Sequence, residues 1–474
     1  MKKHSFLSYL FWVTLAIASG IMVAQLTNAG VKETLRFASS FGKPIVYEAK
    51  SLQKAAVKEI GKEAMGLVGK TSKIALGNIF QDRSGPPKNS GKYIEADLSK
   101  MTISLYQDGK LKESLEIRSK GRPGSPWETP TGEYAVLLKE KEHFSSIGGV
   151  WMPNSIQFFG NFFIHGWPYF KDGTPVYEGY SGGCIRLSTE DSEKVFAFAE
   201  IETPIYITNS SLNFDQFNDN SYYSSKVSIK SPRLSAEAYL VADAETGEII
   251  LEKNKDEKYP IASITKLMTA LASLETIDQS KITAVPNDLD YENYNISGLS
   301  KGEIISVGDL IYPLLLQSSN TAAEAIADFR GRANFIRGMN QKAAAIGLLD
   351  TSFSDPSGLS EKNLSTPSDI FKFISYLHKG KRHILEITKL KEGTAGTKKW
   401  TNSNKFISFG NFDGGKTGYT EAARKTFAGI FSLPLAEFNE RKIVVAVFRS
   451  QQREDDVIKI LDYLKDTVYY GRQP

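Results

Sequence analysis

The pattern of apolar and polar residues changes several times along the 474-residue chain. Behind Lys2, Lys3 and His4, the run Phe6–Ala24 is apolar except for Ser8, Thr14, Ser19 and Gly20. At ~1.5 Å rise per residue such a helix nearly crosses a ~30 Å hydrocarbon layer, so residues 1–30 predict a signal anchor or a long signal peptide. Thr27-Asn28-Ala29 offers only a weak cleavage pattern. Leu52, Ala55, Ala56, Ile60, Ala64 and Leu67 then recur at helical spacing. They lie in a stretch, 31–90, that reads as a stalk or linker closing on Gly85-Pro86-Pro87. Residues 91–208 read as mostly strands. Asp108-Gly109 stands between the alternating runs Met101–Tyr106 and Leu111–Ile117, which predicts a hairpin. Asn209–Ser235 is rich in Ser and Asn, has no clear period, and reads as a second linker. Residues 236–474 mix both periods. A hairpin of Tyr239–Ala242 and Glu248–Leu251 is predicted around Glu245-Thr246-Gly247. Helices are predicted over Ala262–Leu274 and Thr321–Asp328, and strands over Thr426–Ser432 and Val444–Val447.

Composition adds exclusions. Apolar residues make up 41% and charged residues 24%, which rules out a collagen-like or wholly disordered chain. The 58 basic and 54 acidic side chains nearly cancel, so the net +4 carries no nucleic-acid signal. Residues 31–90 concentrate basic side chains, which suits a stalk on an acidic surface or, more simply, a solvated helix. A single cysteine excludes an internal disulfide and a cysteine-ligated zinc finger. No cysteine lies near the apolar run, which excludes a lipoprotein. Lys32, Arg36 and Lys43 follow that run, so basic residues alone do not orient it. His143, His378 and His383 show no ligand spacing and read as scattered surface histidines. With no HExxH and no phosphate-binding glycine loop, no metal and no other cofactor is expected. The aromatic stretch Trp151–Phe170 reads as core and groove lining.

The cysteine stands in Ser181-Gly182-Gly183-Cys184-Ile185-Arg186-Leu187, and a histidine in Phe163-Ile164-His165-Gly166. By itself a lone cysteine reads as a small buried hydrophobe. A Gly-Gly turn directly before it argues against an inert core site. Nucleophilic attack needs a thiolate, and a free thiol titrates near 8.5, so a base or a positive field must help. His165 can take the proton, Arg186 supplies positive charge, and the glycines let backbone amides approach a developing oxyanion. With Thr129-Pro130-Thr131-Gly132 upstream, this stretch resembles the L,D-transpeptidases of bacterial cell-wall synthesis, the YkuD-type catalytic domain, over about 91–208. The resemblance implies Cys184 as nucleophile, His165 as base, Ser181 as a supporting hydroxyl, and Gly183 and Arg186 at the substrate. Gly182 departs from the pattern, standing where the family block has a histidine.

Ser263-Ile264-Thr265-Lys266 opens a predicted helix just after Pro260. Residues three apart share a helix face, so the Lys266 amine can reach the Ser263 hydroxyl and, when desolvated, serve as its base. The helix N-terminus offers amides to an oxyanion. That spacing alone is weak; it also occurs at Ser40–Lys43 and Ser51–Lys54. Ser318-Ser319-Asn320 and Lys416-Thr417-Gly418 follow in order. SxxK, SxN and KTG in that order are the signatures of penicillin-binding serine peptidases. Together with Asp355-Pro356-Ser357-Gly358-Leu359, they make 236–470 resemble the low-molecular-weight D-alanyl-D-alanine carboxypeptidases and their endopeptidase relatives. By that resemblance Ser263 is acylated, Lys266 is the base, and Ser318 and Asn320 relay protons and hold peptide. Lys416 and Thr417 take the terminal carboxylate, Gly418 lies at the substrate, and the amides of Ser263 and Tyr419 form the oxyanion hole. The chain ends soon after the Val444–Val447 strand, which leans toward the endopeptidases.

The resulting expectation is a multidomain, exported bacterial cell-wall enzyme. A mostly-β L,D-transpeptidase domain (91–208) and a linker (209–235) precede an α/β penicillin-binding serine peptidase domain (236–474), with helices around an antiparallel sheet. Expected partners are peptidoglycan stem peptides, β-lactams as inhibitors, and a membrane through the N-terminal segment, with the catalytic parts on the periplasmic or cell-wall face. A reading of another class makes one or both domains inactive modules that bind peptidoglycan or sense β-lactams; two intact nucleophile–base sets argue against it.

Overall fold

A computed structural model describes residues 91–209, 221–224, 231–287, 297–436 and 439–471. The apolar run at 6–24 and the basic stalk lie outside the described residues. No helix among the described residues is long and apolar enough to cross a membrane.

The first catalytic region is built from β1 (Lys92–Asp97), β2 (Thr102–Gln107), β3 (Lys110–Glu116), β4 (Gly132–Ala135), β5 (Leu138–Ser145), β6 (Val150–Phe159), β7 (Phe162–His165), β8 (Ile185–Arg186) and β9 (Pro204–Thr208). They form two sheets, ordered β3-β2-β1-β9-β4 and β5-β6-β7-β8. The expected hairpin is β2–β3, and Asp108 and Gly109 in its turn both take positive φ, 51° and 73°. Two successive positive φ angles match the twist of the flanking strands. Strands of both sheets contribute to one core, with Ile94, Ile103, Ile156, Phe158, Ile164, Ile185 and Ile205 all buried. Each such side chain stabilises by roughly 1.5–3 kcal/mol. Parallel pairing of β7 with β8 sets His165 opposite Arg186, which brings the histidine strand beside the cysteine loop. Strand alternation did not reveal the helix Thr189–Phe198, whose N-terminus is capped by the Ser188 hydroxyl accepting from the Asp191 amide.

The second region centres on an antiparallel sheet whose strand order is Ile249–Lys253, Ala238–Asp243, Arg441–Ser450, Arg424–Leu433, Phe412–Thr420. Its central strands are buried almost continuously, because both faces are covered. One core packs the helices Thr265–Thr276, Val307–Leu316, Asn320–Phe329 and Pro367–Gly380 against the sheet through Ala428, Ile430, Val444 and Ala446. The other core packs the helix Arg453–Thr467 against Phe427, Phe431, Val445 and Val447. All twelve residues of Thr265–Thr276 are buried, its polar Lys266, Thr269, Ser273 and Glu275 included.

The stretch read as a linker is not all linker. Ser221–Ser224 pairs antiparallel with Val468–Gly471. Tyr222 anchors it, its ring 4.8 Å from that of Tyr470 and its hydroxyl donating to Asp243. Nor does a tether alone relate the two catalytic regions. Both belong to one compact unit, Ala345 of the second region joins the core of the first, and the Asn161 amide donates to the Glu275 carbonyl at 3.4 Å.

Two candidate active sites

Ser263 lies in a 3-10 turn, Ala262–Ile264, that runs directly into the helix Thr265–Thr276. Ala262 before it takes φ 49°, a left-handed conformation unusual for a residue with a Cβ. Gly358 backs this turn at φ 88°, where a Cβ would stand 2.0 Å from the Ala262 carbonyl oxygen. The loop Asp355–Leu359 is in turn held by the Asp355 carboxylate, which accepts from the amides of Ser357 and Gly358.

Lys266 is fully buried, lies 2.9 Å from Ser263 Oγ, and donates to Asn320 Oδ1 at 2.8 Å and to the Ser357 carbonyl. Burial, aided by the charge of Lys416, pushes its pKa well below the ordinary lysine value. Such an amine can be neutral and therefore a base. Ser319 caps the helix Asn320–Phe329, which presents Asn320 to that amine, while Ser318 takes φ 59° at the cleft. The strand Phe412–Thr420 forms the opposite wall. A Cβ on Gly418 would come within 2.9 Å of the Ser263 amide nitrogen, so the strand passes close to the nucleophile. Ser263, Ser318, Asn320, Thr417, Gly418 and Tyr419 line one cleft.

Lys416 is only 3% exposed, with Nζ donating to the Thr417 carbonyl at 2.9 Å. Burial and the Arg453 charge bring its pKa down to about 7. The cation on the wall itself is Arg453, at the start of its helix, donating to the carbonyls of Gly418 and Thr426 at 3.1 and 3.2 Å. Motif reading missed it, although Val457, Ile460, Leu461 and Leu464 carry a helical period that could have exposed the element.

In the first region Cys184, His165, Gly182 and Arg186 line a second cleft with Trp127, Met152 and Phe162. His165 is buried, and its Nδ1 lies 2.6 Å from the Gly166 carbonyl oxygen. A carbonyl can only accept, so Nδ1 carries hydrogen and Nε2 is the basic nitrogen of the neutral ring. Burial, with Arg186 and His143 nearby, lowers the histidine pKa to about 3. Burial also raises the Cys184 thiol to about 11, opposed by the Phe163 amide and Arg186. The thiol faces the Asn161 carbonyl at 3.7 Å. Ser181 does not face outward: its hydroxyl donates to the Cys184 carbonyl at 2.6 Å and accepts from the Gly183 amide at 3.0 Å, which holds the loop closed. Arg186 stacks 5.7 Å from the Trp167 ring, and its Nε has no hydrogen-bond partner among the described residues. A Cβ on Gly182 would meet nothing within 4 Å. His143, His378 and His383 are half-buried rather than free on the surface, and no cluster of metal-ligating side chains occurs among the described residues.

Two family descriptions match the chain: D-alanyl-D-alanine carboxypeptidase over residues 225–447, and L,D-transpeptidase catalytic domain over residues 91–207. Among curated proteins, the D-alanyl-D-alanine endopeptidase of Haemophilus influenzae is 35% identical over 39% of this chain and 67% of its own length. The D-alanyl-D-alanine carboxypeptidase DacF of Bacillus subtilis is 30% identical over 48% of this chain, and the match spans 61% of that relative. Among solved structures, a D-alanyl-D-alanine carboxypeptidase from Mycobacterium tuberculosis aligns at 27% identity and a TM-score of 0.45, over 50% of this chain and 93% of that one.

Proposed function

The chain belongs to the D-alanyl-D-alanine carboxypeptidase family and carries an L,D-transpeptidase catalytic domain ahead of that part; from this premise we propose a bifunctional peptidoglycan-modifying enzyme with two acyl-enzyme sites. At the first, Ser263 Oγ attacks the carbonyl of the penultimate D-alanine as Lys266 takes its proton. The C–N bond breaks, and the departing amine receives the proton from Lys266 by way of the Ser318 hydroxyl, while Asn320 holds the Lys266 amine in place. Amides of Ser263 and Tyr419 stabilise the oxyanion. Thr417 and Arg453 hold the terminal carboxylate, with Lys416 beside Thr417. Water then releases the acyl group, so the site acts as a D,D-carboxypeptidase or endopeptidase.

At the second site Cys184 attacks the carbonyl of the third stem residue of a tetrapeptide. His165 Nε2 accepts the thiol proton, the terminal D-alanine leaves, and an amine of a neighbouring stem takes the acyl group to form a 3–3 cross-link. The first site's product, a tetrapeptide, is the second site's donor. Stem peptides lie outside the cytoplasmic membrane, so we place both sites on the periplasmic or cell-wall face, with 6–24 as the anchor.

The observation that supports this reading most is the buried Lys266 Nζ 2.9 Å from Ser263 Oγ in a chain with a second, separate nucleophile–base pair. Its test is to map covalent adducts after treatment with a penicillin and, separately, a carbapenem. The expected adducts are on Ser263 with penicillin and on Cys184 with the carbapenem. Adducts at neither residue would favour the inactive-module reading.

A further inference from the structure

Neither mechanism uses Glu275, Lys342 or Lys381, yet all three are buried, at 0%, 0% and 2% exposure. All belong to the serine region: Glu275 near the end of the nucleophile's helix, Lys342 on the helix Arg332–Ala345, and Lys381 just after Pro367–Gly380. Lys342 Nζ is 3.0 Å from one Glu275 oxygen and Lys381 Nζ is 3.3 Å from the other. Charges this deep are costly unless every partner is in place. One further partner is internal, the Tyr376 hydroxyl accepting from Lys342 at 2.9 Å, and the others come from the thiol region. Lys342 donates to the Tyr134 hydroxyl at 3.0 Å and lies 5.3 Å from the Phe159 ring centre. Lys381 donates to the Glu128 carbonyl at 2.6 Å and lies 5.5 Å from the Phe162 ring centre.

Two short paths lead from these contacts to the nucleophile. Next to Glu128, the Thr129 hydroxyl donates to the Gly183 carbonyl at 2.8 Å, and Phe162 covers Gly183 so closely that a Cβ there would meet the ring at 2.3 Å. On the other side the Glu275 carbonyl accepts from the Asn161 amide, and the Asn161 carbonyl faces the Cys184 thiol. Leu274 and Glu275 also line the Cys184 cleft. One helix thus begins beside Ser263 and ends in the wall of the thiol site.

We propose that the thiol site is composite: Lys381 and Glu275 of the serine region are positioning residues that fix the loop carrying Cys184, so the thiol chemistry requires the serine region in place. This rests on the reading of Cys184 as an acylated nucleophile. The test uses the full chain with two variants. Lys381→Met removes one cation; Glu275→Gln combined with Lys381→Met leaves the formal charge of the cluster unchanged. The saturating rate constant for carbapenem acylation of Cys184 is expected to fall about 10- to 100-fold, as misplacement of a reacting group does, with the half-saturating concentration little changed. Penicillin acylation of Ser263 should continue at the wild-type rate, which shows the serine region folded. Unchanged Cys184 acylation in both variants overturns the proposal, and so does an effect confined to the half-saturating concentration. If Lys381→Met alone loses both labels through unfolding, the charge-balanced pair decides. If wild-type Cys184 takes no carbapenem, the transpeptidase reading fails, and the composite site is then judged by iodoacetamide alkylation of Cys184: a rate altered in the variants supports it, and an unaltered rate overturns it.

Discussion

The two sites solve one problem, a neutral base beside a weak nucleophile, with different degrees of assembly. In the serine site the base is already bonded to the hydroxyl: Lys266 reaches Ser263, Asn320 and the Ser357 carbonyl at once. In the thiol site each partner is engaged elsewhere, the thiol with the Asn161 carbonyl and the imidazole with Gly166. With the thiol raised to about 11 and the histidine lowered to about 3, the resting pair is uncharged, and in the proposed reaction the proton would move as the sulfur attacks. If the thiol site is composite as proposed, change at its borders should disturb it more than change at the borders of the serine site.

The largest effect that could break this comparison is at Ser263. Ser263→Ala should abolish penicillin labelling while circular dichroism stays native; label persisting on the serine region would remove Ser263 from its role. Next comes the base of the thiol site. His165→Ala should slow carbapenem acylation of Cys184 by roughly 10²–10⁴-fold, the contribution of general base help. An unchanged rate would exclude His165.

A pH measurement sharpens the contrast. Lys416 repels a proton on Lys266, so Lys416→Met should raise the Lys266 pKa. Less of the amine is then neutral at a given pH, and the acid limb of Ser263 acylation should move to higher pH, by about one unit for a nearby like charge. A limb that stays in place or moves to lower pH contradicts the coupling. The thiol site's acid limb, which follows His165, should not move. The smallest effect is at Gly182, where a side chain meets open space. Gly182→His should change stability by no more than about 0.5 kcal/mol, as surface substitutions do, and a melting curve checks it.

Much of each site could be read from short-range spacing. SxxK places Lys266 under Ser263 because a helical turn repeats every three to four residues, and Asp108-Gly109 marks its hairpin because few residue pairs accept two positive φ angles. What escaped reading depends on residues far apart in the chain. Arg453 reaches the cleft only because its helix packs on the strands Arg424–Leu433 and Arg441–Ser450, which lets its guanidinium bond the Gly418 carbonyl of the next strand. Tyr222 is a strand residue only because Asp243 and Tyr470 receive it, so its Ser- and Asn-rich surroundings looked like a linker. Glu275, Lys342 and Lys381 carry no motif; their meaning lies in Tyr134, Glu128 and Phe162 across the contact between regions.

The central claim, two nucleophiles working in sequence on one stem peptide, is tested most directly by weighing the products formed from purified pentapeptide muropeptides. The account predicts that the wild type makes tetrapeptide and then 3–3 cross-linked dimers, and that Cys184→Ala stops at tetrapeptide. Ser263→Ala should make neither product until tetrapeptide is supplied, which restores the dimers. Cross-links formed by Ser263→Ala from pentapeptide alone would contradict it.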